Sequence, residues 1–310
     1  MTSAATPPEA AAHRAPALES PLPGVDDPEG ERVPAGLPPV VDAHVHVFPE
    51  PLLEAVWAWF ARHGWPIRYR LHAPQLVEFL QARGVDRLVA LHYAHKPGVA
   101  RELNRFVAQL VRRYPGVTGM ATVFPGEQGD EAILREAFDL GLAGVKLHSH
   151  VQCFHMQSPG MHRIYGLCAH LGKPLIMHVG REPKSPAYAC DPYTLCDSRR
   201  LEAVLRAYPE LRVCVPHLGA DEFAEYQRLI EAHENLWLDT TMALARYLPL
   251  ADPPPLAHLR ADRIMFGSDL PNIPYAWDRE LRLLDAMRLE RERLKRLLST
   301  NAGEFYGIDL

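Results

Sequence analysis

Two histidines stand where an apolar run should continue, in Val40-Val41-Asp42-Ala43-His44-Val45-His46-Val47-Phe48. Residues two apart in an extended strand project to the same face, so His44 and His46 would present both imidazoles together. That arrangement is half of a metal chelate, since neutral imidazole is a ligand for zinc and other divalent cations. Further polar residues capable of chemistry recur at the ends of later apolar runs: Lys146, His148 and His150, then His178, His217, Asp239 and Asp269. Clustered imidazoles pack a core poorly, whereas a bound divalent cation accounts for them.

The elements that must bring these residues together follow from the alternation of short apolar runs with amphipathic stretches, which predicts parallel strands joined by helices. Strands are expected at 40–47, 87–93, 117–124, 144–150, 174–179, 211–216, 236–240 and 263–267. Helices are expected at 49–64, 73–84, 99–114, 130–140, about 161–171, 199–208 with Ser198 as N-cap, 221–233 and between 277 and 305. Eight strand–helix units make an α/β chain of TIM-barrel type, a single (β/α)8 domain over residues 39–310. A doubly wound open sheet is the rival; it rarely needs eight strands, and no GxGxxG follows any of them. In a barrel the C-terminal strand ends share one face, so all the polar residues above would meet there. Residues 1–38, rich in Ala, Pro and Glu, read as a disordered tail.

Composition narrows the function classes. The chain carries 33 Lys plus Arg against 38 Asp plus Glu, a net charge of −5, without a basic run to follow a nucleic-acid backbone. Nucleic-acid binding is therefore not expected. No stretch approaches the ~20 apolar residues of a membrane span, so no membrane partner is expected either. Five cysteines without a CxxC pair argue against a disulfide framework and a zinc ribbon, which favours a reducing, cytoplasmic location. The connection at 180–197 is long for a barrel loop and carries Arg181, Lys184, Tyr188 and Tyr193, as a substrate wall would. Arg181, three residues after His178, is placed to hold a substrate carboxylate through a bidentate pair; a solvated loop charge is the plainer alternative. Trp57, Trp59, Phe60 and Trp65 read mostly as core or interface.

Six segments in order resemble the amidohydrolase superfamily, particularly the amidohydrolase-related branch that includes aminocarboxymuconate semialdehyde decarboxylase. They are Asp42-Ala43-His44-Val45-His46, Gly144-Val145-Lys146-Leu147-His148, Met177-His178-Val179-Gly180, Pro216-His217-Leu218-Gly219, Phe266-Gly267-Ser268-Asp269-Leu270-Pro271 and Asn301-Ala302-Gly303-Glu304-Phe305-Tyr306-Gly307. The resemblance implies a barrel enzyme with His44, His46, His178 and Asp269 as metal ligands, zinc being the expected cation, and with His217 and Asp269 as catalytic proton carriers. It implies hydrolysis, a metal-bound hydroxide attacking an amide, lactone or ester carbonyl of a small, carboxylate-bearing substrate; the alternative is decarboxylation by a carbon–carbon lyase of the same branch. Lys146 stands where some members carry a carboxylated lysine bridging two metals. One metal per chain is expected, or two if Lys146 is carboxylated, with His148 and His150 as second-metal ligands or supporting donors. Members of this branch often pair, so a homodimer is the expected assembly.

Overall fold

The computed structural model describes residues 24–182, 185, 187–247 and 255–310. All eight expected strands form, parallel to their neighbours: β1 Val41–His46, β2 Arg87–Leu91, β3 Val117–Gly119, β4 Val145–His148, β5 Leu175–His178, β6 Val213–Val215, β7 Leu236–Asp239 and β8 Ile264–Met265. Pairing runs β1-β2-β3 and β4-β5-β6-β7-β8. The two runs join because Ala121 donates to the Gly144 carbonyl at 2.7 Å and Lys146 returns a bond to Ala121 at 2.8 Å. The ring closes where Ala43 donates to the Phe266 carbonyl at 2.9 Å and His46 to the Leu270 carbonyl at 2.7 Å. The result is the expected (β/α)8 barrel.

The outer helices are α1 Glu50–His63, α2 Ala73–Ala82, α3 Ala100–Arg113, α4 Asp130–Asp139, α5 Ser149–Gln152, α6 Pro159–His170, α7 Pro192–Leu195, α8 Ser198–Ala207, α9 Phe223–Ala232, α10 Arg279–Ala286, α11 Arg291–Lys295 and α12 Asn301–Tyr306. Among the described residues, no helix is long and apolar enough to cross a membrane. The cap of α8 is Asp197 rather than Ser198: its carboxylate accepts the Arg199 amide at 2.9 Å, and a charged acceptor suits a helix N-terminus better than a hydroxyl. None of the five cysteines is in a disulfide, in keeping with their spacing.

The barrel interior is filled by Val41, Ala43, Val89, Leu91, Met120, Ile176, Cys214, Trp237 and Met265, with α12 closing the bottom through Ala302, Phe305 and Tyr306. One irregularity positions the chemistry. The β1–β2 register slips between Asp42 and Val45, a bulge. Strict alternation would send His44 to the face opposite Val41 and Ala43; the extra residue lets all of them, and His46, face inward. Asp42 holds the bulge, its Oδ1 accepting the amides of His44 at 3.2 Å and Ser268 at 3.0 Å.

Two expectations are corrected here. Strand four stops at His148 instead of His150, and one helical turn, α5, carries His150. Residues 24–38, assigned to the tail by composition, form a strap along the barrel. Arg68 donates to the Asp27 carbonyl at 2.6 Å, Trp277 Nε1 to the Gly30 carbonyl at 3.0 Å, and the Gly30 amide to Asp278 Oδ2 at 2.9 Å. A strap held by main-chain carbonyls and ion pairs needs few apolar residues, so it leaves little hydrophobic signal. Residues 1–23 lie outside the described residues. Asp278 is buried and also pairs with Arg282 at 3.1 Å. Asp278→Ala is expected to cost about 1–3 kcal/mol in chemical denaturation and to open 24–38 to limited proteolysis. Unchanged protease resistance would show that the strap does not depend on it.

Candidate metal centre

The ends of β1, β4, β5, β6, β7 and β8 deliver polar residues into a buried basin at the top of the barrel. His44 is fully buried; its Nδ1–H donates to Asp239 Oδ2 at 2.8 Å, which fixes the tautomer and turns the Nε2 lone pair toward the basin. Asp269 Oδ1 lies 3.5 Å from that Nε2 and 3.1 Å from His46 Nε2. His46 Nδ1 is buried without a partner. Two imidazole nitrogens and a carboxylate oxygen thus converge within 4.8 Å of one another, the donor set of a two-histidine, one-carboxylate site with open positions. The fit to a divalent cation rests on this geometry, in which two imidazole nitrogens face one carboxylate oxygen inside a buried basin.

The electrostatics agree. Burial pushes the Asp269 carboxyl up, but the hydrogen bond and charge of His46 and the nearby His44 ring outweigh it and hold the group below its ordinary value. Burial drives His44 down to about 4, so its ring is neutral at pH 7. Asp269 and His217 both adopt left-handed backbone, φ 67° and 58°. Such strain in non-glycine residues costs of order 1–3 kcal/mol each and is typical of functional loops.

His178 is set slightly apart from this triad. Its Nε2 bonds to Glu182 Oε1 at 2.5 Å, its ring stacks on His148 with centroids 4.0 Å apart, and it lies 4.7 Å from the His217 ring. His178, Glu182 and His217 form a second converging group, and His148, His150 and His178 a third. The four residues that the resemblance groups as ligands therefore divide, three in one triad and His178 in the groups beside it. His217 donates its Nδ1–H to the Thr241 carbonyl at 2.7 Å, which leaves Nε2 as its proton-accepting atom, buried and 3.6 Å from Glu182.

Lys146 is fully buried, and its Nζ donates to His44 Nε2 at 3.2 Å. Burial lowers its pKa to about 8, although Asp239 and Asp269 pull the other way. Its partner is thus a site histidine instead of the carboxylate that a structural lysine would seek.

Arg181 does not reach the basin. Its Nε donates to the Cys196 carbonyl at 2.9 Å, and its guanidinium pairs with Asp197 at 3.2 Å and Glu222 at 3.9 Å. It ties the long loop to the base of α8, and carboxylates of its own chain take the place of a substrate's. Arg181→Ala is accordingly expected to lower the melting temperature by a few degrees and leave KM within about twofold, because the loss is a partly exposed network. A large rise in KM at unchanged stability would restore Arg181 to the binding site. Lys184 lies outside the described residues.

Two carboxylates that contact the basin histidines were not assigned a role from sequence. Asp239 was visible at a strand end, but its task of orienting His44 depends on a contact across the barrel. Glu182 has only a faint signal, a carboxylate four residues beyond a strand-end histidine.

A cavity of about 360 Å³ opens beside the basin. Its walls are Phe48, Trp59, Phe60, Tyr93 and Tyr188, and its floor is His148 and His150. Trp59 stacks on Tyr188 with centroids 5.4 Å apart, and Tyr93 links the floor to the triad, 4.9 Å from the His148 ring and 5.8 Å from the His46 ring. Trp59 and Phe60 are thus pocket wall, while Trp57 packs in a small core with Phe48 and Leu53.

Solved structures share this architecture. An uncharacterised TIM-barrel protein from Bordetella bronchiseptica is 19% identical, with TM-score 0.66, covering 87% of this chain and 99% of its own. A 5-carboxyvanillate decarboxylase from Novosphingobium aromaticivorans, complexed with manganese and 4-hydroxy-3-methoxy-5-nitrobenzoic acid, is 17% identical with TM-score 0.65, covering 91% and 100%. A 2,6-dihydroxybenzoate decarboxylase from Rhizobium is 18% identical with TM-score 0.61, covering 87% and 98%. No protein of curated function matches the chain. The amidohydrolase family profile matches residues 41–308, nearly the whole barrel, and with the ordered motifs and the strand-end donors it establishes that this chain belongs to the amidohydrolase family.

Proposed function

We propose that this enzyme is a metal-dependent decarboxylase acting on a small aromatic carboxylic acid. The observation that carries the reading is the aromatic cavity beside the basin, whose wall residue Tyr93 stands 5.8 Å, ring to ring, from His46 of the triad: it suits a flat ring whose carboxylate or adjacent oxygen is directed toward the triad. Among the described residues, no Arg or Lys lines that cavity, which disfavours a long polar substrate and leaves orientation to the cation. The decarboxylase names of structural neighbours with the same fold add support. Hydrolysis of an amide, lactone or ester is the second reading, and His217 Nε2, free to accept a proton from water, is the feature in its favour.

His44, His46 and Asp269 would hold the cation, with His178 joining them once its Nε2 leaves Glu182. When bound, the cation supplies a Lewis acid that orients and polarises a substrate oxygen. Zinc suits the mixed N and O donors, and manganese is the rival in view of the manganese-bound neighbour. One cation per chain agrees with Lys146 engaged as an amine on His44; carboxylation of Lys146 would allow two.

Decarboxylation needs one proton delivered to the ring carbon while the C–C bond breaks, with the electron pair left on the ring and carbon dioxide released. His217 Nε2 is the atom proposed to carry that proton, since Nδ1 is committed to Thr241, and Asp269 is the second carrier. The wall of Trp59, Phe60 and Tyr188 would exclude bulk water from the ring.

A panel of hydroxybenzoic acids, lactones and anilides incubated in D2O and in H2¹⁸O distinguishes the reactions. Decarboxylation puts one deuterium on the carbon that lost its carboxylate and releases carbon dioxide. Appearance of ¹⁸O in a product acid, without carbon dioxide, would replace the lyase reading with the hydrolase one.

A further inference from the structure

We infer that His148 and His150 form a specificity pair that hydrogen-bonds a hydroxyl group on the substrate ring. The inference rests on the aromatic-acid reading of the cavity and adds a second polar anchor to it. Both residues line the floor of the cavity, both are buried, and both belong to this chain's own break between β4 and α5. Three of their ring nitrogens, His148 Nδ1, His150 Nδ1 and His150 Nε2, are buried without a hydrogen-bond partner. Leaving such atoms unpaired costs free energy, so a concave site that concentrates them is built for a polar group arriving from outside.

Geometry separates a substrate hydroxyl from a second metal. The His148 and His178 rings are nearly parallel, 8° apart with centroids 4.0 Å from each other. One nitrogen from each of His148, His150 and His178 lies within 4.8 Å of the others, so a second metal is the competing occupant; the stacked His148 and His178 rings, whose in-plane lone pairs run side by side, favour a hydroxyl over it. Two imidazoles stacked so closely do not both carry charge, and a neutral imidazole offers one N–H and one lone pair. That pattern matches a hydroxyl, which donates and accepts; a carboxylate can only accept. The charged group nearest to the pair is Glu182, whose Oε2 lies 3.6 Å from His150 Nδ1 and would repel a second carboxylate placed there.

Besides His178, which packs on both rings, two tyrosines flank the pair, and His95 lines the same cavity. Tyr93 meets His148 edge-on at 4.9 Å and Tyr188 lies over His150 at 5.4 Å, which fixes both rings in position before a ligand arrives. A polar pair inside an apolar slot gives sharp discrimination, because a ligand lacking the hydroxyl leaves the nitrogens unpaired again.

The test is equilibrium binding of benzoate and its 2-, 3- and 4-hydroxy derivatives to the metal-loaded protein, followed by tryptophan fluorescence, with Trp59→Phe to show that the signal comes from the cavity. At least one hydroxybenzoate is expected to bind about tenfold or more tighter than benzoate. In His148→Phe/His150→Phe this preference should fall to near unity while benzoate stays within about threefold, and His148→Gln/His150→Gln, which keeps hydrogen-bonding groups, should restore part of it. A phenylalanine variant that retains the preference overturns the inference alone. So does a drop in metal content by one ion per chain in either double variant, which would make the pair a metal site. If none of the benzoates binds, the aromatic-acid reading falls and this inference falls with it.

Discussion

Asp269→Asn is expected to leave the purified protein folded and without its metal. Asp269 is the carboxylate of the triad, 3.1 Å from His46 Nε2 and 3.5 Å from His44 Nε2, and it supplies the negative charge that offsets a divalent cation. Asparagine is nearly isosteric and tolerates the left-handed backbone of this position, so the variant isolates the charge from the fold. Losing a direct ligand should exceed the ~10–100-fold loss of metal affinity that follows removal of a supporting partner. Turnover should fall by on the order of 10³-fold or more, since the proposed Lewis acid and one proton carrier go together. Metal analysis after dialysis, beside a circular dichroism spectrum, reads the result. Stoichiometric metal in the variant would exclude Asp269 from the ligand set.

Asp239→Asn should produce the second largest effect, and by a different route. Asp239 Oδ2 holds the His44 Nδ1–H at 2.8 Å, and Oδ1 accepts the amides of His217 at 3.1 Å and Thr241 at 3.2 Å. One buried carboxylate therefore orients a ligand and the backbone of a proton carrier. Asparagine keeps the shape and loses the charge, so metal affinity should fall by ~10–100-fold while the site remains assembled. Stability falls too. Burial pushes the Asp239 carboxyl up, but the charge of the His44 ring and the hydrogen bond from it prevail and hold the group below its ordinary 3.8. A carboxyl depressed on folding contributes stability above its unfolded value, and that contribution is lost as pH falls through the folded value. Metal-free wild type should therefore lose stability on acidification below about pH 4, where Asp239→Asn, already deprived of it, shows a flatter profile. Denaturant titrations at several pH values measure the difference, and parallel profiles would mean that Asp239 gains nothing from His44.

The barrel and the site basin were legible because both depend on local patterns. Apolar runs at β4 and β5 end in His148 and His178 whatever their neighbours do. What escaped depends on contacts across the sheet. His44 and His46 face inward only because the β1 bulge shifts phase, and nothing in their spacing reveals that slip. Asp239 was read as a polar strand end, yet its role exists only because β1 and β7 face each other across the interior. Arg181 followed a site histidine closely enough to suggest a substrate contact; Asp197 and Glu222, far along the chain, claim it instead. The strap at 24–38 defeats a composition argument because main-chain carbonyls, invisible in a sequence, hold it.

The seam that completes the barrel runs through the chemical site. Asp269 donates its amide to the His44 carbonyl at 3.0 Å, His46 donates to Leu270, and Asp42 grips the Ser268 amide 226 residues further along. A cation held by His44, His46 and Asp269 would thus be a clasp joining the first strand to the last, across the 226 residues that separate Asp42 from Ser268. Closing so long a loop carries a large entropic cost, and an ion that binds only the closed form offsets it in proportion to its affinity. Assembly of the ring and acquisition of the metal become one cooperative event, so amides on either side of this seam should be the first in the barrel to exchange with solvent when the ion is withdrawn.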